Sequence, residues 1–263
     1  MFYDYHTHTS FSDDSDTPMK DMLDGACAKG LTEICITDHY DPGYPDDLYP
    51  FDLPFDEYMS TLADFQNQYR GRLSIKRGIE IGIQHHQLDK CAAAAKSHDY
   101  DYIIGSFHCA LGEPLYEGHF FDNKTPKESF IDYFRYMYDN LNVYKEYCNL
   151  GHMNIVARYS GGSPAFREYS DYCEAILKMI IQDGKGIELN TSSFKYKMET
   201  TCPSEDILRM YRSLGGEIIS IGSDAHAPDR IADHFEFATD YLKSLGFRYI
   251  TAFTKRKPEF IKL

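Results

Sequence analysis

The sequence predicts a single-domain α/β barrel, and three observations lead to this fold class. Strand-like runs alternate with amphipathic helical stretches along the whole chain, in seven units. Repeated strand–helix units place parallel strands side by side, with the helices outside. A length of 263 residues suits one such barrel, and a hydrophobic share of 43% is sufficient for its core. No linker, internal repeat or low-complexity tract interrupts the pattern, so residues 1–263 are predicted to form one domain.

The predicted strands are short apolar runs bounded by turn residues. In chain order they are residues 2–6, 32–37, 73–81, 102–107, 151–156, 186–190 and 218–222. A further apolar piece at 248–253 closes the chain. The stretch 40–55, rich in Pro, Asp and Tyr, is predicted to be a long loop over one face of the barrel, and loops of that length are often functional.

The predicted helices follow the strands and several carry recognisable ends. Proline stands near the predicted start of three of them, at Pro18, Pro126 and Pro203, and glycines such as Gly30 and Gly184 follow their ends. The helical stretches are residues 17–29, 56–70, 87–97, 126–147, 169–183, 204–214 and 229–245.

The charge and the cysteines limit the possible partners and the compartment. A formal net charge of −14 disfavours binding of long nucleic acid, and an anionic substrate must then be attracted locally, for example by bound metal ions. Seven cysteines leave one unpaired in any disulfide scheme and form no C-x-x-C motif. With no signal peptide and no long apolar run, we expect a reduced cytoplasmic protein that does not enter a membrane.

Histidines and carboxylates are concentrated at the predicted carboxyl ends of the strands. Side chains at positions i and i+2 of a strand share a face, so His6 and His8 can point at one ion, and Asp224 and His226 repeat this spacing after the seventh strand. The remaining candidate ligands follow or begin the other strands: Asp14 after His8, His39 after the second strand together with Asp38, Glu80 at the end of the third, His108 after the fourth, and His152 at the start of the fifth.

This arrangement predicts a metal centre. The carboxyl ends of barrel strands converge on one site, and nine ligands would serve three ions with about three each. Imidazole and carboxylate together suit Zn, Fe or Mn better than Ca or Mg. A single histidine in a strand is more often a hydrogen-bonded core residue, but buried imidazoles and carboxylates at this density need cations. Motifs of nucleotide-binding proteins and serine hydrolases, such as G-x-x-x-x-G-K-[ST] and G-x-S-x-G, are absent.

The motifs around these residues, in order, resemble those of the polymerase-and-histidinol-phosphatase (PHP) family. The resemblance extends over most of the chain, on the stretches 5–9, 11–15, 37–39, 78–80, 105–108, 151–152 and 223–226. Within the family, the chain is most similar to members that hydrolyse L-histidinol phosphate in histidine biosynthesis, on the stretches 11–15, 78–82, 152–159, 188–192 and 254–258.

The resemblance implies a distorted (β/α)7 TIM-like barrel with up to three divalent metals. Its ligand sets are His6, His8, Glu80 and Asp224 for the first metal, Glu80, His108 and His152 for the second, and Asp14, His39 and His226 for the third. Many members carry histidine at the position of Asp14, where an aspartate can also act as a ligand.

The resemblance also implies hydrolysis by a metal-bridged hydroxide. Arg158 is the first candidate for binding the phosphate, because its guanidinium can bind two oxygens at once. Lys195 is a second candidate, with Lys197 as a competitor, and His119 is a candidate for substrate contact. Asp224 is a candidate for carrying a proton to the leaving alkoxide.

Two other functions remain open at this point. The same site in another member of the family would act on a different phosphate ester or on short oligonucleotides, as a phosphoesterase or nuclease. A metal-binding regulatory module without turnover is the third possibility, although a purely structural site would be closed and four-coordinate. The expected substrate is a small-molecule phosphate monoester, and the oligomeric state is open.

Overall fold

The computed structural model describes residues 2–263, in which seven parallel strands follow one another around a barrel. Their spatial order is their order in the chain, and each pairs with the next in parallel register. The strands are β1 (Tyr3–Asp4), β2 (Glu33–Ile36), β3 (Ser74–Gly82), β4 (Tyr102–Ser106), β5 (Asn149–Leu150), β6 (Gly186–Asn190) and β7 (Ile219–Gly222).

Backbone hydrogen bonds between the first and last strands nearly close the barrel. The N–H of Tyr5 donates to the carbonyl of Ile221 at 3.0 Å, and the N–H of Asp224 donates to the carbonyl of His6 at 2.8 Å. A parallel bridge joins Thr7 to Ala225 further along. The prediction of a single-domain α/β barrel with seven strands is therefore confirmed.

The helices lie between the strands, close to their predicted bounds. The fourth has the clearest start: the Thr125 side chain accepts a hydrogen bond from the N–H of Glu128, and Glu128 reaches back to Thr125. Among residues 2–263, no helix is long and apolar enough to cross a membrane. The longer helices are α1 (Met19–Ala28), α2 (Phe55–Gln68), α3 (Leu88–Ser97), α4 (Pro126–Val143), α5 (Ser170–Gln182), α6 (Glu205–Ser213) and α7 (Phe235–Ser244). A short helix of four residues, Ser192–Lys195, follows β6.

The fifth strand was predicted wrongly. It covers Asn149–Leu150, and the predicted stretch 151–156 is instead a turn followed by a 3-10 helix at Ile155–Arg158. The N–H of Ile155 donates to the carbonyl of His152 at 2.9 Å, which closes this turn. His152 consequently follows the fifth strand and does not begin it.

Two further regions differ from the prediction. The apolar piece at 248–253 is the first strand of an antiparallel hairpin, formed by β8 (Tyr249–Thr254) and β9 (Lys257–Lys262). The stretch predicted as a helix at 229–245 divides into a 3-10 turn at Pro228–Arg230 and helix α7, because His234 takes a left-handed conformation with a φ of 58°.

Candidate metal centre

Glu80 lies at the middle of a cluster of imidazoles at the carboxyl end of the barrel. It is fully buried near the end of β3, and the short strand His39–Tyr40 pairs with β3 so that His39 lies beside it. Its Oε1 lies 2.9 Å from His152 Nε2 and 3.3 Å from His108 Nε2. Its Oε2 lies 3.0 Å from His6 Nε2 and 3.1 Å from His39 Nδ1. The two oxygens thus face different groups of histidines, as a carboxylate that bridges two ions would.

The first predicted ligand set surrounds one point beside Glu80. His8 Nε2 lies 3.5 Å from Glu80 Oε2 and 3.4 Å from Asp224 Oδ1, and His6 Nε2 lies 3.8 Å from the same Asp224 oxygen. The other nitrogen of His8, Nδ1, is 3.3 Å from Ser12 Oγ, which donates its own proton to Asp38. His8 therefore donates from Nδ1, and its Nε2 carries a free lone pair.

The chemistry of this set fits a cation. Among residues 2–263, the buried His8 Nε2 makes no hydrogen bond, although two carboxylates are nearby. Burial, together with the imidazoles of His39 and His226, lowers the pKa of His8 to about 3, so its ring is neutral. A neutral nitrogen lone pair and two carboxylate oxygens are all acceptors, and such groups face one another in a core only when a cation lies among them.

The second predicted set faces the other side of Glu80. His108 Nε2 and His152 Nε2 are 3.4 Å apart and both face Glu80 Oε1. The far nitrogen of His108, Nδ1, lies 2.6 Å from Asp41 Oδ2. Asp41 is buried, and its contact leaves His108 Nε2 free to act as a ligand. These three ligand atoms, from Glu80, His108 and His152, lie close enough together for one ion.

The third predicted set is more open to solvent. His226 Nε2 lies 3.0 Å from Asp14 Oδ2, and His39 Nε2 lies 3.7 Å from the same oxygen. His226 Nδ1 lies 3.1 Å from its neighbouring backbone carbonyl at Asp224, so its Nε2 is the nitrogen that is free for a ligand role. The side chain of Asp14 is 35% exposed, which places this set at the mouth of the centre. The rings of His39 and His226 both stack on the ring of His8.

The carboxylates of the centre are held in their ionised form. Burial raises the pKa of Glu80, but the imidazoles of His6, His39 and His108 outweigh it and hold the pKa well below its usual range. Burial likewise opposes ionisation of Asp224, but the imidazoles of His6 and His226 outweigh it and hold the pKa of Asp224 well below its usual range. Deprotonated carboxylates at this end of the barrel are the state that metal binding requires.

Sequence reasoning missed two carboxylates that orient the histidines. Glu188 Oε1 accepts a hydrogen bond from His6 Nδ1 at 2.7 Å, and Asp41 contacts His108 as described. A possible signal for Glu188 was a charged residue within the otherwise apolar run of β6. Asp38, considered together with His39, accepts hydrogen bonds from Thr9 and Ser12 and so holds the loop that follows β1.

A cavity of about 720 Å³ opens onto the metal-ligand cluster. Several of its lining residues come from the predicted loop 40–55, including Tyr44, Tyr49 and Phe51. Arg158 and Lys195, two predicted substrate-binding residues, also line it. The Arg158 guanidinium carbon lies 3.7 Å from the centre of the Tyr196 ring, and its Nη2 donates to Ser192 Oγ at 2.8 Å.

The third predicted substrate-binding residue, His119, lies elsewhere. It does not line the cavity; its side chain is 81% exposed and its Nδ1 lies 2.9 Å from Asp122. Lys197, the competitor of Lys195, does not line the cavity either. The structure therefore brings the nine predicted metal ligands, Arg158 and Lys195 to one region, and leaves His119 outside it.

A nearly closed α/β barrel with buried imidazoles and carboxylates at the carboxyl ends of its strands, beside an open cavity, defines a metal-dependent hydrolase. The family profile of the PHP domain matches residues 4–192. The chain belongs to the PHP family.

Curated relatives match over nearly the whole chain. A protein of Clostridium acetobutylicum, named a probable histidinol-phosphatase, is 32% identical, and the match covers 94% of this chain and 95% of that protein. The histidinol-phosphatase of Lactococcus lactis is 30% identical, with 97% of this chain and 95% of that protein covered.

Solved structures show the same architecture. The crystal structure of histidinol phosphate phosphatase from Lactococcus lactis, complexed with zinc, L-histidinol and phosphate, superposes with a TM-score of 0.89 at 28% identity, over 98% of each chain. A protein of Listeria monocytogenes shares the fold at 17% identity, with a TM-score of 0.76 over 90% of this chain and 99% of that one.

Proposed function

We propose that this protein hydrolyses L-histidinol phosphate to L-histidinol and phosphate with the help of bound divalent metals. The observation that carries the proposal is the acceptor-only arrangement of the buried His8 and Glu80 with the partly buried Asp224 beside the cavity, which calls for a cation. The crystal structure from Lactococcus lactis, 28% identical, holds zinc, L-histidinol and phosphate, which supports both the cofactor and the substrate.

The distances around Glu80 support the first two of the proposed ligand sets. His6, His8, Glu80 and Asp224 would hold one metal, Glu80, His108 and His152 a second, and Asp14, His39 and His226 a third. This mixture of imidazole and carboxylate suits Zn, Fe or Mn. When bound, such metals make a nucleophile from water at neutral pH and stabilise the charge on the phosphoryl oxygens.

Arg158 is proposed to bind the phosphate group. The Tyr196 ring and the Ser192 hydroxyl hold its guanidinium, while its buried Nε has no hydrogen-bond partner in the part of the chain that the structure describes. A fixed guanidinium with unused donors can bind two phosphate oxygens and neutralise their charge. Lys195, exposed at the cavity, adds a second positive charge, and its Nζ lies 5.0 Å from the centre of the same Tyr196 ring.

Asp224 is proposed to move a proton in addition to holding a metal. Its Oδ2 accepts a hydrogen bond from Ser192 Oγ at 3.1 Å, and the same hydroxyl accepts one from Arg158. The carboxylate therefore lies next to the group proposed to hold the phosphate. From this position its oxygen can take up a proton released by the attacking water and return it to the leaving alkoxide.

The proposed setting is that of a small-molecule enzyme in the cytoplasm. All seven cysteines are free and six are buried, as expected in a reducing compartment. The net charge of −14 opposes the approach of a long nucleic acid, whereas the cavity of about 720 Å³ has the size of a small-molecule site.

The test is phosphate release from L-histidinol phosphate, compared with a panel of phosphate monoesters and short oligonucleotides, on protein assayed for metal. We expect kcat/KM for L-histidinol phosphate to reach about 10⁴ M⁻¹s⁻¹ or more and to exceed the panel clearly. Equal activity over the panel, or activity only on oligonucleotides, would retain the metal-dependent hydrolase and reject this substrate.

A further inference from the structure

Glu188 is a buried carboxylate on β6, a barrel strand that supplies none of the predicted metal ligands. It is fully buried, and its only ion-pair partner among residues 2–263 is His6. A carboxylate in a barrel core without a lysine or arginine partner is unfavourable unless its contacts compensate for lost hydration. Its contacts therefore have to explain its presence.

Both oxygens of Glu188 act as acceptors for parts of the metal centre. Oε1 accepts a hydrogen bond from His6 Nδ1 at 2.7 Å. Oε2 accepts one from the backbone N–H of His152 at 3.0 Å and another from Asn190 Nδ2 at 3.2 Å. His6 belongs to the first predicted ligand set and His152 to the second, so a single side chain supports both.

The contact with His6 determines which nitrogen faces the centre. When Nδ1 donates its proton to Glu188, Nε2 is left with a lone pair directed at Glu80 and Asp224. The contact with His152 supports an unusual backbone, since His152 has a φ of 20° in the turn after β5. Its buried N–H needs an acceptor there, and Glu188 supplies it.

The neighbouring strand leaves space for this carboxylate. A Cβ atom added at Gly222 of β7 would lie 2.1 Å from Glu188 Oε1 and 2.4 Å from His6 Cβ. A side chain at that position would therefore displace the Glu188–His6 pair. Only glycine allows the pair to occupy its place against β7.

From these contacts we infer that Glu188 is a positioning residue, which orients His6 and His152 so that the two proposed metals bind at the correct separation. The inference rests on the proposed metal-dependent hydrolysis. Glutamine cannot replace Glu188, because an amide has one acceptor oxygen and three donors would compete for it. The amide nitrogen would face either the His6 N–H or the donors of His152 and Asn190.

The experiment compares Glu188→Gln with Glu33→Gln in the full-length protein, after removal of metal and titration with Zn²⁺ or Mn²⁺. Glu33 is a matched control, because it is also a buried barrel glutamate, but it contacts Tyr5, Ser74 and Lys76 away from the centre. We expect Glu188→Gln to weaken metal binding about 10- to 100-fold. The variant should lower kcat by a larger factor than it changes KM, and excess metal should restore kcat. Glu33→Gln should bind metal as the wild type does.

Wild-type metal affinity in a folded Glu188→Gln variant would overturn the inference. Should that variant not fold, Glu188→Asp keeps both acceptor oxygens and is expected to fold with intermediate affinity; wild-type affinity there would also count against the inference. The metal titration tests the role of Glu188 without any substrate, so its outcome does not depend on the proposed reaction. A wild-type protein that binds metal without releasing phosphate would reject the proposed function alone.

Discussion

At the scale of single residues, Arg158 is distinguished by the way it is held. Its guanidinium stacks on Tyr196, donates to Ser192 and is connected through that hydroxyl to Asp224. Lysine would keep the positive charge but would lose the planar fork and the stacking. The structure therefore fixes the position of the Arg158 charge, and a phosphate would depend on that position as well as on the sign of the charge.

We predict that Arg158→Lys lowers kcat/KM for L-histidinol phosphate about 10²- to 10³-fold, because one preorganised donor to the phosphoryl oxygens is lost. Steady-state phosphate release measures the effect, and the metal content should not change. Arg135→Lys is the control, since Arg135 is exposed on α4 and, within residues 2–263, forms an ion pair with Asp132 alone. Wild-type kcat/KM in Arg158→Lys would remove Arg158 from the proposed phosphate site.

Most candidate ligands could be found from the sequence because they are polar residues at or just after the end of an apolar strand; Asp14, in the loop after β1, is the exception. Glu188 and Asp41 do not show that pattern. Glu188 lies within β6, and Asp41 lies in the loop after His39. Their roles depend on which nitrogen of a histidine faces the metal centre. Packing between strands that are far apart in the chain determines this orientation. The motif pattern carries no information about that geometry.

At the scale of structural elements, helices and most strands were predicted within a few residues, because their apolar periodicity is local. The fifth strand was missed because the run Met153, Ile155 and Val156 is apolar and buried in both a strand and a tight turn. The turn is formed by the positive φ of His152 and the N–H contact with Glu188. Both depend on tertiary contacts.

A prediction about strand β7 concerns Gly222, its last residue, which lies two positions before Asp224. We predict that Gly222→Ala lowers the free energy of unfolding by about 1–3 kcal/mol through overpacking and also weakens metal binding, because the added Cβ would displace Glu188 and His6. Urea denaturation and metal analysis measure the two effects.

Gly30→Ala is the matched control for Gly222→Ala. Gly30 has a φ of 70° and open space around it, so alanine there costs about 1–2 kcal/mol of strain and should not affect metal. An equal loss of stability in both variants with unchanged metal affinity would show that Gly222 serves only the fold.

At the scale of the whole molecule, a strongly acidic protein would have to attract the anionic ester that we propose as its substrate. The net charge of −14 includes the carboxylates of the candidate centre, of which Glu80 and Glu188 are buried and Asp224 is partly buried. Arg158 and Lys195 are the cations that line the cavity. Bound divalent metals would reverse the local potential, and they would connect strands β1, β3 and β7 through their ligands.

Because bound metals would link β1, β3 and β7, removal of metal should lower the stability of the whole fold. A metal at 100 times its dissociation constant stabilises the folded state by about 2.7 kcal/mol, which corresponds to a Tm higher by about 5–10 °C for a chain of this length. We therefore expect a chelator to lower the Tm by that amount, and Zn²⁺ or Mn²⁺ to restore it better than Mg²⁺ or Ca²⁺, since the ligands include imidazoles. Differential scanning calorimetry measures the shift, and His6→Ala serves as the control that should respond least, because it lacks a ligand to the most buried site. An unchanged Tm after proven removal of metal would mean that the barrel is stable without ions in its centre, and that the acceptor-only cluster around His8 needs another explanation.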